Sequence, residues 1–300
     1  MSMTKPTTPN RKAVCPVCPH HCKLALGETG RCHARENRDG KVVATNYGRI
    51  TSLALDPIEK KPLARFMPGS MVLSVGSYGC NLSCPFCQNF EISQARSQEV
   101  AWRDISPEDL VALACQLRDK NPQVAGIAYT YNEPLVGWEY VRDCAALAHN
   151  KGLINVLVSN GLAEPAIINE LSSFIDAANI DLKGFRPEFY RMCGGGSEAL
   201  ACVKNTIQQL AAETQCHLEA TTLVIPEEND SDDEIKRMAQ WLSQLDCGNG
   251  NRGETELVYH ITRFFPQWRM TDRSPTPVAT VYHLADVARQ YLEHVYTGNC

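Results

Sequence analysis

The chain is predicted to fold as an α/β protein, a partial TIM-like (β/α)6 barrel with a small Cys-rich extension at its N-terminus. Three observations carry this expectation. From Ser70 onward, short apolar runs alternate with amphipathic segments of helical period, the pattern of a parallel sheet closed by crossover helices. Six such strand and helix units follow one another. Residues 1–69 lack that rhythm and hold cysteines at close spacing instead.

Residues 1–13 are polar and uncapped, which predicts an unstructured lead-in. Val42, Val43, Ile50, Leu53 and Leu55 alternate around Asn46-Tyr-Gly48 as a short hairpin over 41–55 would. Asp56-Pro-Ile-Glu-Lys60-Lys61-Pro-Leu then reads as a solvated linker, with its two lysines over the cluster mouth as the alternative. Met71 to Val75 is the first strand. Ser106, with proline next, caps a helix whose buried stripe is Leu110, Leu113, Ala114 and Leu117. Strands two, three and four are expected at 124–130, 153–158 and 177–182. Between them, a helix marked by Trp138, Val141, Ala145 and Ala148 stops at Gly152, and another runs from Pro165 to Phe174. Leu200, Val203, Ile207 and Leu210 line the next helix, and strand five covers 216–225. Ser231 and Glu234 form a capping box before Ile235, Met238, Leu242 and Leu245. Strand six is placed at 256–261, and 281–295 reads as a closing helix.

Three hundred residues can bury one substantial core, which suits a barrel over 70–300 with an arm and hairpin over 1–69. A net charge of -5 supplies no basic stripe to neutralise phosphates, so nucleic acid is not the expected partner. No charged-then-apolar leader precedes Cys15 and no apolar run reaches membrane-spanning length. The 14 cysteines are therefore expected to be cytoplasmic thiols held for metal rather than disulfides.

The chemistry centres on Ser77-Tyr-Gly-Cys80-Asn-Leu-Ser-Cys84-Pro-Phe-Cys87-Gln-Asn89. Its C-x3-C-x2-C spacing lets three thiolates converge on one cluster. A cubane [4Fe-4S] normally takes four, so a loop offering three leaves one iron open to a non-protein ligand. Zinc, the alternative, asks for four tetrahedral ligands, usually in two distant pairs. Upstream, Cys15-Pro-Val-Cys18-Pro-His-His-Cys22 and Cys32-His33 crowd thiols and imidazoles into a loop-like stretch. Ordering it costs on the order of 1 to 2 kcal/mol per residue, and Val14, Val17, Leu24 and Leu26 return only about 1.5 to 3 kcal/mol each if fully buried. A second metal centre, zinc or iron-sulfur, on Cys15, Cys18, Cys22 and Cys32 is expected to fold residues 14–40, with reduced free thiols as the alternative.

With Phe86 just before its last cysteine, the central loop resembles the signature of the radical S-adenosylmethionine (SAM) enzymes. The resemblance implies that the open iron chelates SAM, whose reductive cleavage yields methionine and a 5′-deoxyadenosyl radical. In such barrels the chemistry gathers at the C-terminal strand ends, and there residues 70 to 265 resemble the glycyl-radical-enzyme activases. Tyr131-Asn132-Glu133-Pro134 stands where a Gly-Gly-Glu-Pro loop meets the SAM amino group. Asn132 replaces the second glycine, so either the loop is wider or the asparagine amide makes the contact. Ser159-Asn160-Gly161 matches a Thr-Asn-Gly, but Val158 stands where the activases carry an acid that helps hold a monovalent cation. Asp181-Leu-Lys183 matches the Asp-Leu-Lys that holds the SAM carboxylate. Lys183 is costly to bury alone and should pair with a ligand or with Asp181. His260 matches a histidine near the SAM ribose, and Phe86 and Gln88 complete the implied cofactor contacts. Cys193-Gly-Gly-Gly196 reads as a glycine-rich loop near the mouth, with substrate contact as the alternative. Cys115, Cys144 and Cys202 read as small buried apolar groups in helical stripes.

Together with the Cys-Pro-x-Cys-Pro-His-x-Cys arm and the Asp-Pro-Ile-Glu-Lys-Lys-Pro segment, nearly the whole chain resembles the AmmeMemoRadiSam-system radical SAM enzymes, relatives of pyruvate formate-lyase activating enzyme. This implies an oxidoreductase that abstracts hydrogen from a protein glycine, with a protein substrate and a flavodoxin- or ferredoxin-like reductant as partners. Two alternatives stay open. One is abstraction from a small molecule, and the other an iron-sulfur electron-transfer or metal-sensing protein without SAM turnover.

Overall fold

The computed structural model describes residues 12–213, 215–245 and 257–300. Its centre is an eight-stranded sheet built from β1 (Ser52–Pro57), β2 (Met71–Gly76), β3 (Val124–Tyr129), β4 (Ile154–Ser159), β5 (Ala177–Asp181), β6 (His217–Val224), β7 (Val258–Arg263) and β8 (Val295–Gly298). Spatial order follows chain order. β1 runs antiparallel to β2, and each later pair is parallel. The crossovers are α1 (Pro107–Lys120), α2 (Trp138–His149), α3 (Pro165–Ser172), α4 (Ala199–Ala212), α5 (Asp232–Leu242) and α6 (Val278–Ala288). Six β/α units result, as the alternation of apolar runs implies.

Local chemistry explains the element ends. α1 starts where the Ser106 side chain accepts from the Asp109 N–H with proline at the first turn, and α5 where Ser231 accepts from the Glu234 N–H. Parallel strands covered on both faces need nearly continuous apolar runs, and β3 and β4 are buried along almost their whole length. Within β3, Gly126 approaches β4 so closely that a Cβ there would stand 1.9 Å from the Ile154 carbonyl oxygen. A register shift between Met71 and Val72 falls beside it.

Three expectations are corrected. The alternation over 41–55 does not close a hairpin on itself: Lys41–Ala44 pairs back with Arg35–Arg38, Arg49–Ile50 with Arg103–Asp104, and Ser52–Pro57 with β2. Period-two patterning marks strands without naming their partners. The closing helix ends at Ala288, and Val295–Gly298 becomes β8, because short apolar runs fit either period. The supposed linker is part of the core. Ile58, Leu63 and Phe66 lie with Val72, Ala128, Val156 and Ala177 in one buried cluster, the Asn179 side chain donates to the Pro62 carbonyl, and Lys61 is 3 % exposed. Residues 1–11, in the expected lead-in, and Glu256, the expected start of strand six, lie outside the described residues. Among the described residues no helix is long and apolar enough to cross a membrane.

Candidate active site

A cavity of about 910 Å³ lies over the C-terminal strand ends and runs down the inner face of the sheet. Asp56 from β1 and Tyr296 to Gly298 from β8 both border it, so the sheet curls until its two edges face one space. The lining takes in the three cysteines of the central loop and every residue expected to face a cofactor, from Phe86 and Gln88 to His260.

The cysteine loop leaves β2 and is held from several sides. The Leu82 N–H points at Cys80 Sγ at 3.3 Å, Asn160 Nδ2 donates to the same sulfur at 3.5 Å, and Ser93 Oγ stands 3.3 Å from Cys87 Sγ. Burial pushes the Cys80 and Cys87 thiols up. Cys84 is instead held below the ordinary thiol range, first by the Cys193 thiol, then, against its burial, by the Lys183 ammonium. Cys193 is fully buried, and its carbonyl accepts from the Ser83 N–H at 2.8 Å. The glycine-rich loop thus backs the cluster loop and offers no thiol to a substrate. Three thiols facing one cavity, with N–H and O–H groups aimed at sulfur, fit a [4Fe-4S] cluster. A cubane spreads its thiolates over different irons, so they need to share a space rather than meet at one ion.

Asn132 and Glu133 are committed to the protein itself. Asn132 Oδ1 accepts from the Ser77 N–H at 2.9 Å, and its Nδ2 donates to the Tyr78 and Gly79 carbonyls at 3.2 and 3.1 Å. The asparagine that replaces a glycine therefore ties the loop after β3 to the cysteine loop. Glu133, buried, accepts from Ser159 Oγ, the Asn160 N–H and the Leu135 N–H at 2.7, 2.8 and 3.0 Å. Burial pushes its carboxyl up to about 7 against those hydrogen bonds. Asn160 donates to Asn81 Oδ1 at 2.9 Å and accepts from the Leu162 N–H at 2.8 Å. Just before Asn132, Tyr131 sits at φ +71°, a left-handed conformation costly for an aromatic residue. Its hydroxyl donates to Asp56 at 2.7 Å, and its carbonyl accepts from Asn89.

On the far wall, Lys183 Nζ meets Asp181 at 2.8 Å. Burial alone would lower the lysine, but Asp181 and the thiols of Cys84 and Cys193 hold it well above its ordinary value. His260 contacts the carboxylate of Glu219, a residue with no exposed surface. Glu219 also takes His217 Nε2 at 2.8 Å and the N–H groups of Ala64 and Arg65 at 2.9 Å each. An ionised carboxylate only accepts, so both imidazoles carry their proton on Nε2. Sequence reasoning passed over Glu219, although a carboxylate inside an apolar strand, two residues from a histidine, is a readable signal.

The N-terminal arm packs on this site. The Cys80 N–H donates to the Cys32 carbonyl, and His20 Nε2 contacts the Asn81 carbonyl. Cys15, Cys18 and Cys32 are buried and Cys22 half-buried. Burial pushes Cys18 up to about 12 and Cys32 to about 11. Of the four apolar residues expected to support the arm, Val17 and Leu24 are buried while Val14 and Leu26 are exposed. Among the described residues no three His, Cys, Asp or Glu side chains stand so as to hold a single metal ion.

Fold and site together define a radical SAM protein, and the sequence model described as the Radical SAM superfamily matches residues 74–242. The chain belongs to that superfamily, whose members use a [4Fe-4S] cluster and SAM. An uncharacterized protein of Methanocaldococcus jannaschii is 37% identical over 291 residues, 97% of this chain and 82% of that one. Another protein of that organism, with the provisional name glycyl-radical enzyme activating enzyme, is 24% identical over 230 residues, 73% of this chain and 85% of that one. Among solved structures, a radical SAM methyltransferase from Sphaerobacter thermophilus aligns with TM-score 0.55 at 15% identity, over 77% of this chain and 67% of that one. Streptococcus suis SuiB bound to S-adenosylmethionine aligns with TM-score 0.54 at 12% identity, over 74% of this chain and 48% of that one. These two likenesses concern the fold.

Proposed function

We propose that the chain is an AmmeMemoRadiSam-type radical SAM oxidoreductase that abstracts a hydrogen atom from a backbone glycine of a protein partner. It would work in the cytoplasm with a flavodoxin- or ferredoxin-like reductant. The observation that carries the reading is the sharing of one cavity by Cys80, Cys84 and Cys87 with Asn160, Lys183 and His260. Cys80, Cys84 and Cys87 would hold the cluster, which supplies the electron for SAM cleavage. Lys183, its charge balanced by Asp181, would donate to the SAM carboxylate. His260, tied through Nε2 to Glu219, would turn its other ring nitrogen to a ribose hydroxyl. Phe86, Gln88, Asn132 and Glu133 would shape the pocket around the cofactor. Asn132 and Glu133 would act chiefly by holding the strand-end loops in place.

Residues 1–69 form the arm in this reading, lending β1 to the sheet of the barrel over 70–300. Cys15, Cys18, Cys22 and Cys32 would take a separate zinc or iron-sulfur centre, which requires their side chains to move together. Anaerobic incubation of the reconstituted protein with SAM, reductant and candidate partner proteins should yield 5′-deoxyadenosine and a glycyl radical signal. Absence of 5′-deoxyadenosine under every condition would sink the reading. Abstraction from a small molecule is the second reading, favoured by the charged inner wall of the cavity at Asp56 and Lys61.

A further inference from the structure

The segment after β1 carries a cation that the proposed chemistry at the strand ends does not use. Lys61 is 3 % exposed, yet it borders the same cavity as the three cysteines. Its Nζ lies 2.9 Å from Asp56 Oδ2 and 4.9 Å from the centre of the Tyr131 ring. An ammonium has three donors, and the carboxylate takes one. Asp56 is also shared: Lys60 Nζ stands 3.8 Å from its other oxygen, and Tyr131 donates to it at 2.7 Å. Two ammoniums thus face one carboxylate. Glu59 also borders the cavity, but its carboxylate accepts from the Gly69 N–H. A buried ion pair is a poor source of stability, so a buried, incompletely satisfied lysine at a cavity wall points to a ligand. The wall is rigid as well. Leu63 and Ile58 anchor it in the core, and Glu219 holds the Ala64 and Arg65 N–H groups.

We propose that Lys61, with Lys60 at its edge and Asp56 and Tyr131 as its frame, is a subsite for an anionic oxygen group, carboxylate or phosphate, on the molecule that gives up its hydrogen. The inference rests on the radical SAM reading of the cavity and gives its substrate a chemical class. SAM also carries a carboxylate, but Lys183 and Asp181 on the opposite wall are assigned to it. The subsite is therefore open while SAM is bound.

The test is calorimetric titration of the reconstituted, SAM-saturated full chain under anaerobic conditions with two probes, inorganic phosphate and succinate. At least one should bind, and the one that binds tells a phosphate source from a carboxylate source. Lys61→Gln should weaken that binding roughly tenfold or more, a loss of about 1.4 kcal/mol or above. Lys61→Arg should retain it, Lys60→Gln on the exposed edge should weaken it less, and Asp56→Asn should tighten it by freeing the ammonium. SAM affinity should stay unchanged in the lysine variants. Absence of binding by either anion overturns the proposal. So does parental affinity in Lys61→Gln, or loss of SAM affinity in that variant, which would assign the lysine to the cofactor. Failure of the parent to cleave SAM would instead strike the functional reading and leave the anion titration standing.

Discussion

Glu219 receives four donors on two oxygens while fully buried, and no other acceptor of the same shape could take them all. Burial pulls its pKa upward, but hydrogen bonds from His217 and His260 outweigh that and bring it down to about 2. A carboxyl depressed in the folded state stabilises above its unfolded value, and that stability is lost as pH falls through the folded value. Thermal melts between pH 5 and pH 2 should therefore show a loss of a few kcal/mol, and Glu219→Gln should be less stable at pH 7 and flatter over that window. Equal acid sensitivity in parent and variant would contradict the assignment. Cys84→Ala should abolish 5′-deoxyadenosine formation, read by chromatography after single-turnover reaction, since two thiolates cannot replace three. At this scale the sequence was half legible. The thiols of the central loop announce themselves by spacing, because their partner is a cluster rather than a distant side chain. Asn132 acts through a group that the fold brings from Ser77, and Glu219 through groups brought from Ala64 and His260, pairings that no local pattern records, although the neighbouring His217 made Glu219 itself readable.

The elements were easier to read than their partnerships. Five of the six β/α units lie where their period puts them and the sixth gives up the expected end of its helix to β8, whereas the stretch over 41–57 contributes to three separate ladders. Two substitutions test what holds the elements together. Gly126→Ala would force a methyl against the Ile154 carbonyl, with 1.9 Å between them. It should cost at least about 1 to 3 kcal/mol, visible as a lowered denaturant midpoint. Leu63→Ala would open a void under the cavity, where Leu63 is fully buried, and should cost roughly 2 to 5 kcal/mol. If the segment were the solvated linker its composition suggests, the second change would leave stability within about 0.5 kcal/mol of the parent.

For the whole molecule, the question is whether arm and barrel hold metal independently. The Cys80→Ala, Cys84→Ala, Cys87→Ala triple variant should retain iron or zinc bound at Cys15, Cys18, Cys22 and Cys32, with an arm as resistant to protease as in the parent. A folded triple variant free of both metals, its arm still resistant, would leave the arm to its hydrogen bonds and to burial of Val17 and Leu24. Composition could not decide this, because the same four thiols serve either outcome. Chain order was legible from β2 to β7, since consecutive strands joined by crossover helices leave little choice of neighbour, but the edge strands β1 and β8 were hidden in the supposed hairpin and the supposed closing helix.

The contact between Cys193 and Cys84 has a practical consequence for oxygen. Two buried thiols side by side, one already biased toward thiolate, form a pair that dissolved oxygen can convert to a disulfide by taking two electrons. Protein purified in air without its cluster should accumulate that crosslink, which removes a cluster ligand and locks the glycine-rich loop to the cysteine loop. Peptide mapping without reductant should find Cys84 joined to Cys193, and dithiothreitol before iron and sulfide should restore loading. Cys193→Ser should load equally well with and without that step.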